Sequence, residues 1–302
     1  MVDITSKKNS LRIATARAIV KVGSDQTIAA IKAQQVPKGD VFEMSKAAGL
    51  LGVKKTPELL PDCHPIPIEY TGFEFQISGR EIQIDCTVKT IYKTGVEVEA
   101  MHGVSIAALN LYDMLKPLDQ QVTIENIHLV SKIGGKSSQP KLPQNLQGAV
   151  VVCSDSISAG KAEDTAGKQL STLLEQQGLT LAHYSVIPDA PETIREIAQK
   201  LIDQAVDLIL FTGGTGIAPR DNTPEALIPL IDKRLPGVEE TMRSYGQQRT
   251  PVAMFSRSVA GVCGQSLVLA LPGSTKGASE SLMAVFPSIL HLFDVLKGKR
   301  HA

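Results

Sequence analysis

The apolar residues follow two different periods in the two halves of the chain. In the strands of the first half they alternate. Residues 12–22 (R-I-A-T-A-R-A-I-V-K-V) alternate and are rich in β-branched side chains, which predicts a strand. Ser24 opens a short helix to about Gln34, and Asp40 caps a second over 41–53. Thr56-Pro57-Glu58 predicts a separate helical turn that stops near Pro61. Residues 70–77 and 81–92 flank Ser78-Gly79-Arg80 as a hairpin. Residues 96–115 predict a long helix with a small apolar face, ended by Pro117, and 122–133 a last strand. Strands and helices in this segregated order predict an α+β domain, an antiparallel sheet with helices packed on it, of the ferredoxin-like kind.

Residues 134–148 break the pattern with Gly, Ser, Gln and Pro and no apolar period, which predicts a linker over 138–147 between domains 1–137 and 148–302. Beyond it, short apolar runs alternate with helical patterns. Strands are predicted at 149–153, 181–187, 208–211 and 266–271, and helices at 165–177, 191–205, 223–230, 238–245 and 276–296. This order predicts an α/β domain, a mostly parallel sheet with helices on both faces. Ligands of such sheets sit at the carboxyl ends of the strands.

Composition narrows the function class. The 302 residues carry 31 basic and 31 acidic side chains, no Trp and only 4% aromatics. This balance points away from a nucleic-acid partner. No apolar run is long enough to span a membrane. Cys63, Cys86, Cys153 and Cys263 are scattered and none forms C-x-x-C, so neither zinc nor an iron–sulfur cluster is expected, and the thiols suit a reduced, cytoplasmic protein.

The candidate chemistry of the second half lies at predicted strand ends. Thr212, Gly213, Gly214, Thr215 and Gly216 place three glycines in five residues after an apolar strand. Bare backbone N–H groups there can cradle a phosphate. An ordinary strand-to-helix turn would read the same way, and neither standard nucleotide fingerprint is present. Gly273 and Ser274 add donors. Asp189 and Asp221 suit Mg²⁺ held against substrate phosphates, although either alone reads equally as a turn or helix cap. In the first half Lys38, His64, Lys93, Glu97, Glu99, Asp113, Lys116 and Lys132 are polar candidates, but singly they read as surface charges or a structural histidine.

Motifs in family order resolve these alternatives. S-D-S at 154–156, V-I-P-D at 186–189, T-G-G-T-G at 212–216, R-D-N-T-P-E-A at 220–226 and L-P-G-S at 271–274 resemble the MoaB/MogA family of molybdenum-cofactor biosynthesis. The resemblance implies a molybdopterin adenylyltransferase that uses ATP and Mg²⁺, with Asp189 and Asp221 as catalytic and metal-binding acids. P-K-G-D-V-F at 37–42, D-C-H-P at 62–65, K-T-G-V-E-V-E-A at 93–100, Y-D-M-L-K at 112–116 and K-I-G-G-K-S at 132–137 resemble the MoaC family. That resemblance implies a cyclic pyranopterin monophosphate synthase acting on 3′,8-cyclo-7,8-dihydroguanosine triphosphate. Lys38, Asp113 and Lys116 would be catalytic, and His64, Glu97, Glu99 and Lys132 would bind substrate. Asp62 stands where that family has leucine.

The alternatives are an active synthase fused to a pterin-binding module without catalysis, and a non-catalytic scaffold. Family likeness implies trimers or hexamers. Spacing adds one expectation. Glu99 and Asp113 lie fourteen residues apart on one predicted helix, hence about 20 Å along its axis. A single compact site can hardly use both, so the synthase site is expected to be shared between subunits.

Overall fold

The inner face of the first sheet is built from unusually small residues. In β1 (Ser10–Lys21) Ala14, Ala16, Ala18 and Val20 point inward with almost no exposed surface. The period of two thus survives as a buried stripe. β1 pairs antiparallel with β3 (Glu81–Tyr92) on one side and with β4 (Thr123–Ile133) on the other. β2 (Tyr70–Ser78) closes the sheet against β3, giving the order β2-β3-β1-β4. The structure, a computed structural model, describes residues 1–135, 143 and 145–298. The chain divides into two compact units, Met1–Gln139 and Pro140–Ala302. Most of the expected linker lies outside the described residues, as do Lys136 and Ser137 of the K-I-G-G-K-S motif.

Small side chains on the sheet let a helix lie close to it. α3 (Glu97–Leu115) buries Ala100, Gly103, Val104, Ala107, Ala108 and Leu111. α1 (Asp25–Lys32) is capped by the Ser24 hydroxyl, which accepts the Thr27 N–H. α2 (Val41–Leu59) starts at an Asp40 cap and runs on through Pro57, so the separate turn expected at Thr56 belongs to this helix. Pro57 falls in the last turn, and the helix ends two residues beyond it.

The second unit is a six-stranded sheet in the order β6-β5-β7-β10-β9-β8. β5 (Gln147–Cys153), β6 (Thr180–Ile187), β7 (Leu208–Thr212) and β10 (Ser266–Leu271) run parallel. β9 (Val259–Cys263) and the two-residue β8 (Lys233–Arg234) add an antiparallel edge that the sequence reading lacked. β5 starts at Gln147, inside the expected linker.

Alternate residues of these strands feed two cores. A short α4 (Asp155–Ser158) follows β5. One face packs on α5 (Ala166–Gln176), α8 (Pro236–Gln247) and α9 (Thr275–Val285). The other packs on α6 (Pro191–Asp203) and α7 (Thr223–Leu227). The helix expected over 276–296 ends at Val285, because Pro287 has no N–H to continue the ladder and disfavours helix at Phe286. A 3-10 turn, Ser288–His291, then leads to α10 (Leu292–Leu296). No single helix among the described residues is long and apolar enough to cross a membrane.

The contact between α2 and α3 is tight at two glycines. A Cβ on Gly103 would run into Val53 Cγ2 and lie 3.2 Å from Cys86 Sγ and 3.4 Å from Gly49 O, all on buried residues. Gly103→Ala is therefore expected to cost about 1–3 kcal/mol by overpacking. The check is the denaturant midpoint of the variant against that of the native chain.

Candidate active sites

In the first unit α3 carries polar groups at both ends. At its C-terminal end Asp113 Oδ2 lies 2.6 Å from Lys38 Nζ, and Asp113 Oδ1 lies 2.8 Å from Lys116 Nζ. Lys38 also donates to the Asp113 carbonyl at 2.8 Å. Lys38 reaches this point from the turn between α1 and α2. The hydrogen bonds from Lys116 and Lys38 hold the Asp113 carboxyl down at about 2. The cluster therefore carries a fixed anion between two ammonium groups.

At the other end Lys132 Nζ, from β4, lies 3.0 Å from Glu97 Oε1. Glu99 is 3% exposed, and burial raises its pKa, helped by the Glu97 charge. Burial also raises the Cys63 thiol, with the charges of Glu99 and Asp62 adding to it, so Cys63 stays neutral beside them. His64 Nε2 lies 2.8 Å from the Val2 carbonyl, and only a protonated nitrogen can donate there. Asp62 points to the surface, 3.0 Å from the Met1 ammonium. The expected synthase residues thus fall into two groups at opposite ends of one helix, and a single chain does not bring them together.

In the second unit the strand ends converge. Register places Cys153 beside Ile187, Val152 beside Thr212 and Leu271 beside Thr212, so the loops after β5, β6, β7 and β10 share one edge. Thr212 Oγ1 donates to Pro272 O at 2.7 Å, and Gly213 N donates to Leu271 O at 3.2 Å. Gly213 has φ +105°, and a Cβ on it would run into Cys153 O. Gly214, at φ +61°, faces Asp189 Oδ1 and Thr223 Oγ1 just as closely. Both of those oxygens are buried and lack a hydrogen-bond partner. Buried polar atoms without partners mark a place where a ligand belongs.

The expected residues meet here, around two clefts. One of about 390 Å³ is lined by Asp155, Ser156, Asp189, Thr212, Gly213 and Gly273 among others. One of about 440 Å³ is lined by Thr215, Gly216, Asp221, Arg243, Ser274 and Glu280 among others. Gly214 borders both. The Ser274 oxygen caps α9 by accepting the Gly277 N–H at 3.2 Å, which leaves its proton free to donate.

Burial, then the charges of Asp221 and Asp155, push the Asp189 carboxyl up to about 6, against the pull of Arg220. Asp155 accepts the Asp189 N–H at 3.1 Å and pairs with Arg220 at 2.7 Å. Arg257 holds the loop from behind, donating to Gly216 O at 2.7 Å and to Asp221 O while pairing with Glu225. Sequence reasoning gave Asp155 and Arg220 no role, although both lie in quoted motifs. Arg257 had no local signal, since its partners are 32 to 41 residues away.

Among the described residues no three His, Cys, Asp or Glu side chains come together as a metal cage. Mg²⁺ needs only one or two carboxylates when substrate phosphates complete its shell. The unpartnered Asp189 oxygen near Asp221 fits that smaller demand.

The geometry defines a two-domain protein whose halves each gather groups suited to phosphate-bearing small molecules. The model of the MoaC family matches residues 1–135, and that of a probable molybdopterin binding domain matches 149–291. The chain is 39% identical over 302 residues to the molybdenum cofactor biosynthesis bifunctional protein of Chlorobaculum tepidum, covering 100% of this chain and 96% of that protein. It is 47% identical over 141 residues to the cyclic pyranopterin monophosphate synthase of Clostridium perfringens, covering 46% of this chain and 89% of that protein. It is also similar to the molybdopterin biosynthesis enzyme MoaB of Thermus thermophilus, with 42% identity, a TM-score of 0.49, and 51% of this chain and 98% of that one covered. The chain belongs to the family of bifunctional molybdenum cofactor biosynthesis proteins, a MoaC half followed by a molybdopterin-binding half.

The raised Asp189 carboxyl has a measurable consequence. The folded chain keeps this proton up to about pH 6, whereas the unfolded chain loses it near 3.8. Stability is therefore higher below that window and falls as pH rises through it. Asp189→Asn removes the penalty. In metal-free protein the variant should gain stability over the native chain at pH 8 compared with pH 4, on the order of 1 kcal/mol after solvent screening. Thermal unfolding midpoints at both pH values, in the presence of a chelator, make the comparison.

Proposed function

We propose that the first unit converts 3′,8-cyclo-7,8-dihydroguanosine triphosphate to cyclic pyranopterin monophosphate and pyrophosphate. The second then transfers AMP from ATP to molybdopterin at a later step. The names of the relatives and the two residue constellations support this reading. The strand order β2-β3-β1-β4 supports the ferredoxin-like description of the first sheet, and four unbridged cysteines support a reducing, cytoplasmic setting.

The observation that carries the synthase reading is the division of its polar groups along α3. Rebuilding a purine-derived ring as a pyranopterin requires proton transfers, and closing the cyclic phosphate expels pyrophosphate. Lys38 and Lys116, held by Asp113, supply ammonium protons and positive charge. Lys132, Glu97, Glu99 and His64 supply the complementary wall. Two ends of one rod become one site when a second subunit presents its opposite end. Sites shared in this way need a homo-oligomer, and the family likeness supports a trimer or hexamer.

The observation that carries the transferase reading is the buried Asp189 oxygen, unpartnered beside the bare Gly214. Asp189 and Asp221 would hold Mg²⁺, which would neutralise phosphate charge. The backbone of Gly213 to Gly216 and the Ser274 hydroxyl orient the two phosphates for in-line attack. No covalent chemistry by the protein is needed.

Two outcomes are expected. Glu99→Ala and Asp113→Ala each abolish synthase turnover, and subunit exchange between them restores activity to about a quarter of the sites. Pyrophosphate release from the cyclic triphosphate measures it, and no recovery in verified mixed oligomers removes the shared site. Asp221→Asn should lower AMP transfer at least about 100-fold, with synthase turnover unchanged. Native protein that releases no pyrophosphate from ATP with molybdopterin and Mg²⁺ would end the transferase reading.

A further inference from the structure

Three carboxylates, Asp155, Asp189 and Asp221, crowd the strand ends that would have to accept a polyphosphate. The cation whose charge reaches Asp189 is Arg220. Its Nη2 lies 2.7 Å from Asp155 Oδ2, and its side chain is 74% exposed. The backbone beneath it is fixed. Asp221 Oδ2 accepts the Ala218 N–H at 2.7 Å, and Arg257 donates to the carbonyls of Gly216 and Asp221. The Arg220 side chain itself is held by its ion pair with Asp155. An ion pair this exposed is worth little in water, so a change of partner costs little. Phosphate oxygens fit the planar guanidinium fork and carry more charge than one carboxylate.

We propose that Arg220 is a further catalytic residue of the adenylyl transfer, an arm that leaves Asp155 for the β- and γ-phosphates of a nucleotide in the cleft lined by Asp155 and Asp189. The proposal rests on the adenylyltransferase reading of this unit. In that step an oxygen of the molybdopterin phosphate attacks the α-phosphorus. A new P–O bond forms, the bond from the α-phosphorus to the bridging oxygen breaks, and its electron pair leaves with pyrophosphate. No proton or oxidant is consumed. Negative charge builds on the departing phosphates, where the transferred guanidinium meets it. Asp155 still holds the Asp189 N–H through its other oxygen, at 3.1 Å, so the loop keeps its place when the arm leaves.

The test is calorimetric binding of ATP and of AMP, with Mg²⁺, to native protein, Arg220→Gln, Arg220→Lys and Asp155→Asn. Arg220→Gln should weaken ATP about tenfold and leave AMP within about twofold, since AMP lacks the outer phosphates. Arg220→Lys should fall between, and Asp155→Asn, which frees the arm, should tighten ATP severalfold. At saturating ATP, Arg220→Gln should lower kcat about 10- to 100-fold. Equal weakening of both nucleotides, or of neither, overturns the assignment. Native protein that binds ATP but releases no pyrophosphate once molybdopterin is added overturns the transferase reading and the catalytic role together, while the ATP-to-AMP difference still decides the phosphate contact. Native protein that binds neither nucleotide overturns both.

Discussion

A nineteen-residue helix buried along one face fixes the geometry of the first unit. α3 can lie close to the sheet because the facing residues of β1 are alanines, and close to α2 because Gly49 and Gly103 have no side chains to separate them. Packing at that density leaves the helix no freedom to bend. Glu99 and Asp113 are therefore held about 20 Å apart along its axis. Whatever Asp113 does at one end, Glu97 and Glu99 cannot do beside it in the same chain. The proposed sharing between subunits is a consequence of stiffness, and the stiffness is a consequence of small residues.

In the second unit the equivalent constraint is a backbone collision avoided. β7 and β10 are bound edge to edge, and the chain leaving β7 must turn across Cys153 O at once. Only glycine takes φ +105° with a carbonyl that near. That turn brings Gly214 onto Asp189 and leaves no room there for a side chain. The raised Asp189 pKa follows from this crowding, since the carboxylate is half-buried and sees two like charges. Arg220 relieves part of the repulsion, and Arg257 keeps Asp221 from drifting away from it.

Periodicity carried much of the architecture because β1 and β3 bury one face and β5, β7 and β10 bury both, which enforces a clean pattern. The parallel strands β5, β7 and β10 read as solid apolar runs for that reason. β9 escaped notice although V-A-G-V-C is apolar throughout, because small residues and an internal glycine weaken a strand signal. The run over 276–296 looked like one helix because apolar period persists across Pro287, whereas hydrogen bonding does not. For the sites, motif resemblance named the residues but not their grouping. Lys38 and Asp113 are 75 positions apart, and nothing local says that they touch. Arg257 is invisible for the same reason, being defined wholly by tertiary contacts.

In the two proposed reactions the units would meet the same ligand feature, a polyphosphate, with opposite means, and the chemistry explains the choice. Ring reconstruction moves protons, so its site needs groups that exchange them, and ammonium side chains on flexible stems serve as both acid and counter-charge. Adenylyl transfer moves no proton in its central step. Fixed backbone N–H groups then do better than side chains, because they need no reorganisation as charge shifts from one phosphate to the next. A glycine loop that cannot accept a Cβ is such a fixed array. It is also nearly neutral, which is why carboxylates can stand beside it, and why a mobile arginine is the remaining requirement when a highly charged nucleotide arrives.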